Sequence, residues 1–183
     1  MNWLMRILIF LAAMVAVYLE SSFDGFRNWF GAQIDLLPAL MVYAALTCSL
    51  AFVTVLAVAG GLWFDSLSAN PLGISILPLL MVGLLIHGRR ELILRDQLFA
   101  HYVLGLAASA VVPVATVILL LTLGHKPLIF WGSLWQWLVM TLGGGLAAPV
   151  IFRLFDWLDR ALSYRPVFET SFRPDREIRR GRS

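Results

Sequence analysis

The sequence predicts an all-α integral membrane protein with six transmembrane helices in a compact bundle. Hydrophobic residues make up 60% of its 183 residues and charged residues 14%, whereas soluble domains have about 45–50% and about 25%. The mean hydropathy is +0.83. A small domain leaves much of its surface in contact with solvent, so it cannot hide this much apolar surface from water. We therefore expect lipid to be the main solvent, which excludes disorder, a coiled coil and an ordinary water-soluble enzyme.

Four apolar stretches are long enough to predict membrane spans. A helix needs about 20 apolar residues to cross a hydrocarbon core of about 30 Å. Three stretches meet this requirement easily, over residues 3–19, 98–123 and 131–155. A fourth covers residues 71–88, where we expect Asn70 to cap the helix, Pro71 to lie in its first turn and Pro78 to kink it. Residues 20–33, between the first two spans, are expected to form an outer loop.

Residues 36–64 carry no charge and have two possible interpretations. They form one long tilted helix, or two short helices over 34–48 and 50–66 that join near Thr47-Cys48-Ser49. Two helices give six spans, and twelve of the fourteen basic residues then lie on the same side as both termini. The positive-inside rule favours this arrangement and places both termini in the cytoplasm. Each short span has only about 15–17 residues, which is less than a standard bilayer requires.

The net charge of +3 comes from the C-terminal part of the chain. From Arg153 onward there are eight arginines and five acidic residues, whereas the charges before it balance. A basic end after a membrane span reports topology or anionic lipid more often than nucleic acid. We divide the chain into a membrane domain of residues 1–165 and a basic cytoplasmic tail of residues 166–183. The tail either is a solvated, disordered end or contacts anionic lipid or cytoskeletal filaments through its arginines: Arg173, Arg176, Arg179, Arg180 and Arg182.

No pattern of catalytic, cofactor-binding or metal-ligating residues is present in the sequence. His87, His101 and His125 are far apart, and none has a second His or Cys at metal-ligand spacing. Phosphate-binding loops and metalloprotease motifs are absent. The single Cys48 excludes an internal disulfide. We therefore predict that the protein is not an enzyme and needs no cofactor.

Three ionisable residues near the predicted span ends are functional candidates, because such groups are rare at membrane depth. Asp35 and His101 lie where spans start, so an interfacial position explains them. Asp65 closes a helix, where a carboxylate meets the negative end of the helix dipole. It either accepts hydrogen bonds from the following turn or from the N-terminus of the next helix, or it contacts a partner or ligand. No span carries a charge at its midpoint, which argues against an ion-coupled pump.

Small residues recur four positions apart within the predicted spans. Such spacing lets helix backbones approach closely in lipid. The faces either pack inside the bundle or dock a helix of a partner protein, and the sequence leaves both open. The pairs are Ala57 and Gly61, Gly105 and Ser109, Gly143 and Ala147, and Gly144 and Ala148.

The segment from Gly60 to Gly73 resembles the signature region of the rod shape-determining protein MreD family. It reads Gly-Gly-Leu-Trp-Phe-Asp-Ser-Leu-Ser-Ala-Asn-Pro-Leu-Gly, and the family pattern is roughly Gly-Leu-x-x-Asp, a short stretch of small residues, then Pro-Leu-Gly. The region around Asp35 and the basic pair Arg89-Arg90 are also similar to that family, so the likeness covers about residues 1–165. Many such chains have basic residues between spans two and three, whereas Thr47-Cys48-Ser49 is uncharged.

The resemblance implies a non-catalytic scaffold of the elongasome, which maintains cell shape and directs lateral peptidoglycan synthesis from the bacterial inner membrane. It implies association with MreC, and through it with the RodA glycosyltransferase, a class B penicillin-binding protein and MreB filaments. It also implies a six-helix fold similar to the substrate-binding subunits of energy-coupling-factor vitamin transporters. The residues we expect to bind MreC are Gly61, Asp65, Pro71, Leu72 and Gly73.

The alternative function is a small-molecule-binding or transporter subunit of the vitamin-uptake type. Such a protein needs a pocket into which several polar groups point. The spans offer few polar side chains for this purpose: Thr47, Thr54, Ser109, Thr116, Gln136 and Thr141.

Overall fold

A computed structural model describes residues 3–22, 33–68, 70–91, 98–124 and 131–162. Within these ranges every regular element is a helix, which confirms the all-α prediction. The six helices are α1 (Trp3–Ser22), α2 (Leu37–Thr47), α3 (Leu50–Leu67), α4 (Ile76–Arg89), α5 (Leu98–Thr122) and α6 (Trp131–Leu162).

Four of the six helices, α1, α3, α5 and α6, are long and apolar enough to cross a membrane. The chain is thus compatible with a multi-pass membrane protein. Helices α2 and α4 have only 11 and 14 residues, so they extend over about 16 and 21 Å at 1.5 Å per residue. Whether these two also cross the membrane stays a prediction.

The uncharged stretch of residues 36–64 contains two helices rather than one. Helix α2 has Pro38 in its first turn, where the missing N–H costs nothing. It ends at Thr47, and the backbone at Cys48 and Ser49 is extended. The Thr47 hydroxyl donates a hydrogen bond to the carbonyl of Tyr43 at this end, 2.7 Å away. The predicted joint near Thr47-Cys48-Ser49 is confirmed.

Helix α2 is the centre of the bundle. Every residue from Leu37 to Leu46 is buried, and the helix packs against all five others. A helix that is surrounded by protein has no polar face, which accounts for its uniformly apolar sequence. Because its neighbours shield it from lipid, the length of α2 does not have to match the thickness of a bilayer.

Helix α4 begins at Ile76, so the predicted start at Pro71 is wrong. Residues 72–75 form turns, and Gly73 has φ +90°. This left-handed conformation interrupts a right-handed helix and is readily adopted by glycine. Asn70 and Pro71 therefore precede the helix without capping it. Pro78 was expected to kink the span, but it lies in the first turn of α4, where no hydrogen bond is lost.

Helix α6 continues to Leu162, past the predicted end at residue 155. The loop segment of residues 23–32 and the predicted tail of residues 166–183 lie outside the described part of the chain.

The helices alternate in direction, so each end of the bundle combines residues from all parts of the chain. One end, which we call the cavity end, contains the ends of α1, α3 and α5 and the starts of α2, α4 and α6. At the opposite end, Tyr43 packs edge-on against Phe152 and stacks on Phe155, with ring centroids 4.9 and 5.0 Å apart. His101 stacks on Phe152 with a centroid distance of 3.7 Å.

The stripes of small residues pack inside the bundle. A Cβ atom on Gly105 would meet Ala148, and one on Gly144 would lie 2.6 Å from the Cβ of Ser109, so α5 and α6 touch along both stripes. A Cβ on Gly61 would lie 3.0 Å from the backbone of Ile76. Of the two interpretations left open by the sequence, internal packing accounts for these glycines.

Candidate functional site

A cavity of about 290 Å³ lies at the cavity end. Its lining residues belong to the six helices or lie directly beside them in the chain. Leu37 of α2 and Leu79 of α4 contribute to its apolar wall, as do residues of α5 between Val112 and Leu120. The polar side chains that line it are Glu20, Gln33, Asp35, Ser68, Asn70, Ser75, Thr116 and Gln136. None of the described lining residues is basic.

Asp35 lies just before the first turn of α2 and faces the cavity with 6% of its surface exposed. One carboxylate oxygen accepts a hydrogen bond from the backbone N–H of Leu37, 2.9 Å away. The negative charge is close to the positive end of the α2 dipole, which favours it. Burial opposes this effect, because the charged carboxylate loses its hydration there. Among the described residues, the charged carboxylate therefore lacks full compensation.

Glu20 is the site residue that the sequence analysis missed. It lies in the last turn of α1, and its Oε1 atom accepts a hydrogen bond from the backbone N–H of Leu36, 2.6 Å away. Its Oε2 atom is buried and has no hydrogen-bond partner in the described part of the chain. The buried residues of α1 include Ala13 and Ala16, and helical spacing from them continues to position 20. This periodicity was the signal that could have placed Glu20 on the inner face.

Asp65 fastens the turn between α3 and α4. Its side chain is 2% exposed, and its two oxygens accept hydrogen bonds from the backbone N–H and the hydroxyl of Ser75, at 3.0 and 2.5 Å. A carboxylate next to the first turn of a helix is favoured by the helix dipole. Asp65 thus bonds to the N-terminus of the next helix, one of the options left open by the sequence, although at Ser75 rather than Pro71.

The five residues expected to bind MreC are divided by the structure into internal and exposed positions. Gly61 and Asp65 are buried inside the chain. Pro71 and Leu72 are exposed, and Leu72 has 72% of its surface accessible. Gly73 supplies the left-handed turn beside them. The five arginines of the predicted tail lie outside the described residues.

His87 and His101, the histidines that the structure describes, do not line the cavity. His101 is buried in the first turn of α5, at the opposite end of the bundle, with 4% of its surface exposed. The Nδ1 atom of His87 is 2.9 Å from the carbonyl of Ala45, and His125 is outside the described residues. The described ranges contain no group of three or more His, Cys, Asp or Glu that could hold a metal ion.

No protein-family model, no curated protein and no solved structure matches this chain. The cavity end thus has two features: an exposed, fastened turn at Pro71-Leu72, and a cavity lined by the buried carboxyl group of Asp35 and the partly buried one of Glu20.

Proposed function

We propose that the protein is a non-catalytic membrane scaffold of the bacterial elongasome, which supports cell shape and lateral peptidoglycan synthesis through association with MreC. The resemblance of residues 61–73 to the MreD signature is the reason for this choice. The observation that supports it is the conformation of that segment. In that segment Gly61, Asp65 and Gly73 each have a structural task, and Pro71 and Leu72 are exposed beside them.

The fastened turn is suited to a protein partner. Gly61 allows the start of α4 to approach α3, and Asp65 bonds to Ser75 across ten positions of the chain. Because both ends of the turn are fixed, Leu72 can be buried by a partner without a large loss of conformational entropy. An exposed apolar side chain on a rigid support is a favourable anchor for binding.

The charge distribution gives the turn its proposed location. The positive-inside rule favours both termini on the cytoplasmic side of the bacterial inner membrane. The cavity end then faces the periplasm. MreC would bind at this face, whereas the tail arginines would contact anionic lipid or MreB filaments on the other. RodA and the class B penicillin-binding protein would join the same assembly.

The second candidate is a small-molecule-binding subunit of the vitamin-uptake type. The cavity of about 290 Å³ favours it, because several polar side chains line an otherwise apolar space. Thr116 and Gln136, two of the few polar residues predicted within spans, are among them.

One purification distinguishes the two candidates. The tagged full chain would be expressed in a rod-shaped bacterium, crosslinked, and extracted in mild detergent, and MreC recovery would be measured. We expect MreC to be recovered, and Leu72→Asp to lower its recovery at least about tenfold, as for a central apolar contact. The matched control is Leu123→Asp, which changes another exposed leucine, 63% accessible, in the turn after α5.

Absence of MreC after crosslinking would contradict the scaffold proposal. Equal losses of MreC with Leu72→Asp and Leu123→Asp would contradict the role of the turn. A stoichiometric small molecule in the native mass spectrum, without MreC, would favour the second candidate.

A further inference from the structure

We propose that the cavity binds a small organic cation, an ammonium group carried on a short apolar body. The inference is independent of the scaffold proposal, because the cavity and the exposed Pro71-Leu72 turn use different residues. It also gives the small-molecule candidate a ligand class.

The acidic residues that line the cavity determine the sign of the charge that the ligand carries. Asp35 is almost fully buried, and only one of its oxygens accepts a hydrogen bond from the described residues. The Oε2 atom of Glu20 is buried with no partner among them. Burying two neighbouring carboxylates is strongly unfavourable unless protons neutralise them or a positive group compensates them. Since no described lining residue is basic, a bound cation would supply that compensation.

Asp65 does not belong to this site. Both of its oxygens already accept hydrogen bonds from Ser75, and it is not among the residues that line the cavity. Glu20 and Asp35 are therefore the acidic residues that would bind the cation.

The hydrogen-bonding capacity of the cavity fits an ammonium group, which has three N–H donors and no acceptor. Glu20 and Asp35 each have a carboxylate oxygen without a described partner. The Thr116 hydroxyl donates its proton to the carbonyl of Val112, 2.9 Å away, so its oxygen is left as a further acceptor. Charge-assisted hydrogen bonds to two carboxylates are the stronger part of this recognition.

The walls and the size of the cavity favour an organic ligand over an inorganic ion. Apolar side chains such as Leu37, Phe64, Leu79 and Val112 form much of the lining. An ion alone would leave this surface without contacts, whereas a short apolar body would bury it. The volume of about 290 Å³ is close to the lower limit of roughly 300 Å³ for small-molecule pockets. The ligand is therefore small.

The test measures binding of three probes of matched size to the full chain in phosphatidylcholine nanodiscs, with empty nanodiscs as the reference. Phenethylammonium is the cation, 2-phenylethanol is its neutral analogue and phenylacetate is the anion. Titration calorimetry should show the cation binding at least about tenfold more tightly than the alcohol, since charged hydrogen bonds exceed neutral ones. The anion should not bind.

Variants assign the binding to the two carboxylates. Glu20→Gln and Asp35→Asn keep the side-chain shapes, and each should weaken phenethylammonium binding about tenfold or more. Asp156→Asn removes one exposed negative charge from α6, toward its C-terminus and away from the cavity, and should leave binding unchanged. If a carboxylate variant fails to fold, Val117→Phe provides a second test. It fills the cavity without a change of charge and should abolish binding.

Several results would overturn the proposal. Equal affinity for the ammonium and the alcohol would remove the role of charge. Binding unchanged in Glu20→Gln, Asp35→Asn and Val117→Phe would place the ligand elsewhere. Binding that appears only in Arg27→Gln would show that the chain supplies its own positive group. MreC recovery is measured with Glu20→Gln as well. The scaffold proposal expects normal recovery with this variant, so the two proposals can fail separately.

Discussion

At the scale of residues, three acidic side chains near the cavity end are stabilised by backbone N–H groups that follow them in the chain. Asp35 accepts from Leu37, Glu20 from Leu36 and Asp65 from Ser75. The bond of Asp65 to the next helix was predictable, because a carboxylate before a helix start has few other favourable donors. Its partner was not predictable, because the left-handed turn at Gly73 moves the helix start to Ile76.

Replacement of Asp65 should destabilise the protein. Asp65→Ala removes both bonds to Ser75 and leaves a buried N–H without an acceptor, so we expect unfolding to become easier by about 3 kcal/mol. Asp65→Asn keeps one acceptor oxygen and should lose less. Thermal unfolding in nanodiscs, followed by tryptophan fluorescence, measures both changes. Ser66→Ala is the control, since this exposed hydroxyl bonds only to the Trp63 carbonyl of its own helix. A melting temperature of Asp65→Ala equal to that of the unchanged protein would contradict a fastening role.

At the scale of elements, the long helices and the break at Cys48-Ser49 were predictable because they depend on local composition. Which helices pack against each other was not predictable. The repeats of small residues identified faces that pack closely, but only tertiary structure pairs Gly105 with Ala148 and Gly144 with Ser109. The cavity was missed for the same reason, because its lining residues come from distant parts of the chain. Glu20 was not predicted as a site residue, because it follows the apolar span of residues 3–19 directly, whereas the helix continues to Ser22.

Enlargement of Gly105 should separate α5 from α6. A Cβ atom there would meet Ala148 and lie 2.9 Å from the carbonyl oxygen of Gly144. We expect Gly105→Ala to destabilise the fold by about 1–3 kcal/mol, as for other overpacked sites. The same thermal unfolding assay measures the change. Gly132→Ala is the matched control, because nothing lies within 4 Å of its added Cβ.

A size exchange tests the pairing of α5 with α6 directly. Combining Gly105→Ala with Ala148→Gly removes the methyl group that the new Cβ atom would meet. The double variant should therefore recover part of the lost stability. If the double variant is no more stable than Gly105→Ala, the clash lies elsewhere in the bundle.

At the scale of the whole molecule, alternating helix directions predict which segments share a side of the membrane. Six crossings put Ser49 in the cytoplasm and place Leu72 and Gly124 outside. In a Cys48→Ala background, a membrane-impermeant maleimide should label Leu72→Cys and Gly124→Cys in intact cells. Ser49→Cys should react only after permeabilisation. The native Cys48 is 3% exposed, so the unchanged chain is the control and should label poorly. Labelling of Ser49→Cys and Leu72→Cys from the same side would rule out six crossings.

The burial of α2 also sets an order for assembly in the membrane. A helix of 11 residues extends about 16 Å, roughly half of the hydrocarbon core, so it cannot hold a stable position in lipid by itself. It depends on α1 and α3 while the rest of the chain is being made, and its surroundings are complete only after α5 and α6 have arrived. A chain that stops before α5 would leave α2 facing lipid. Quality-control proteases could recognise such a chain by this exposed short helix.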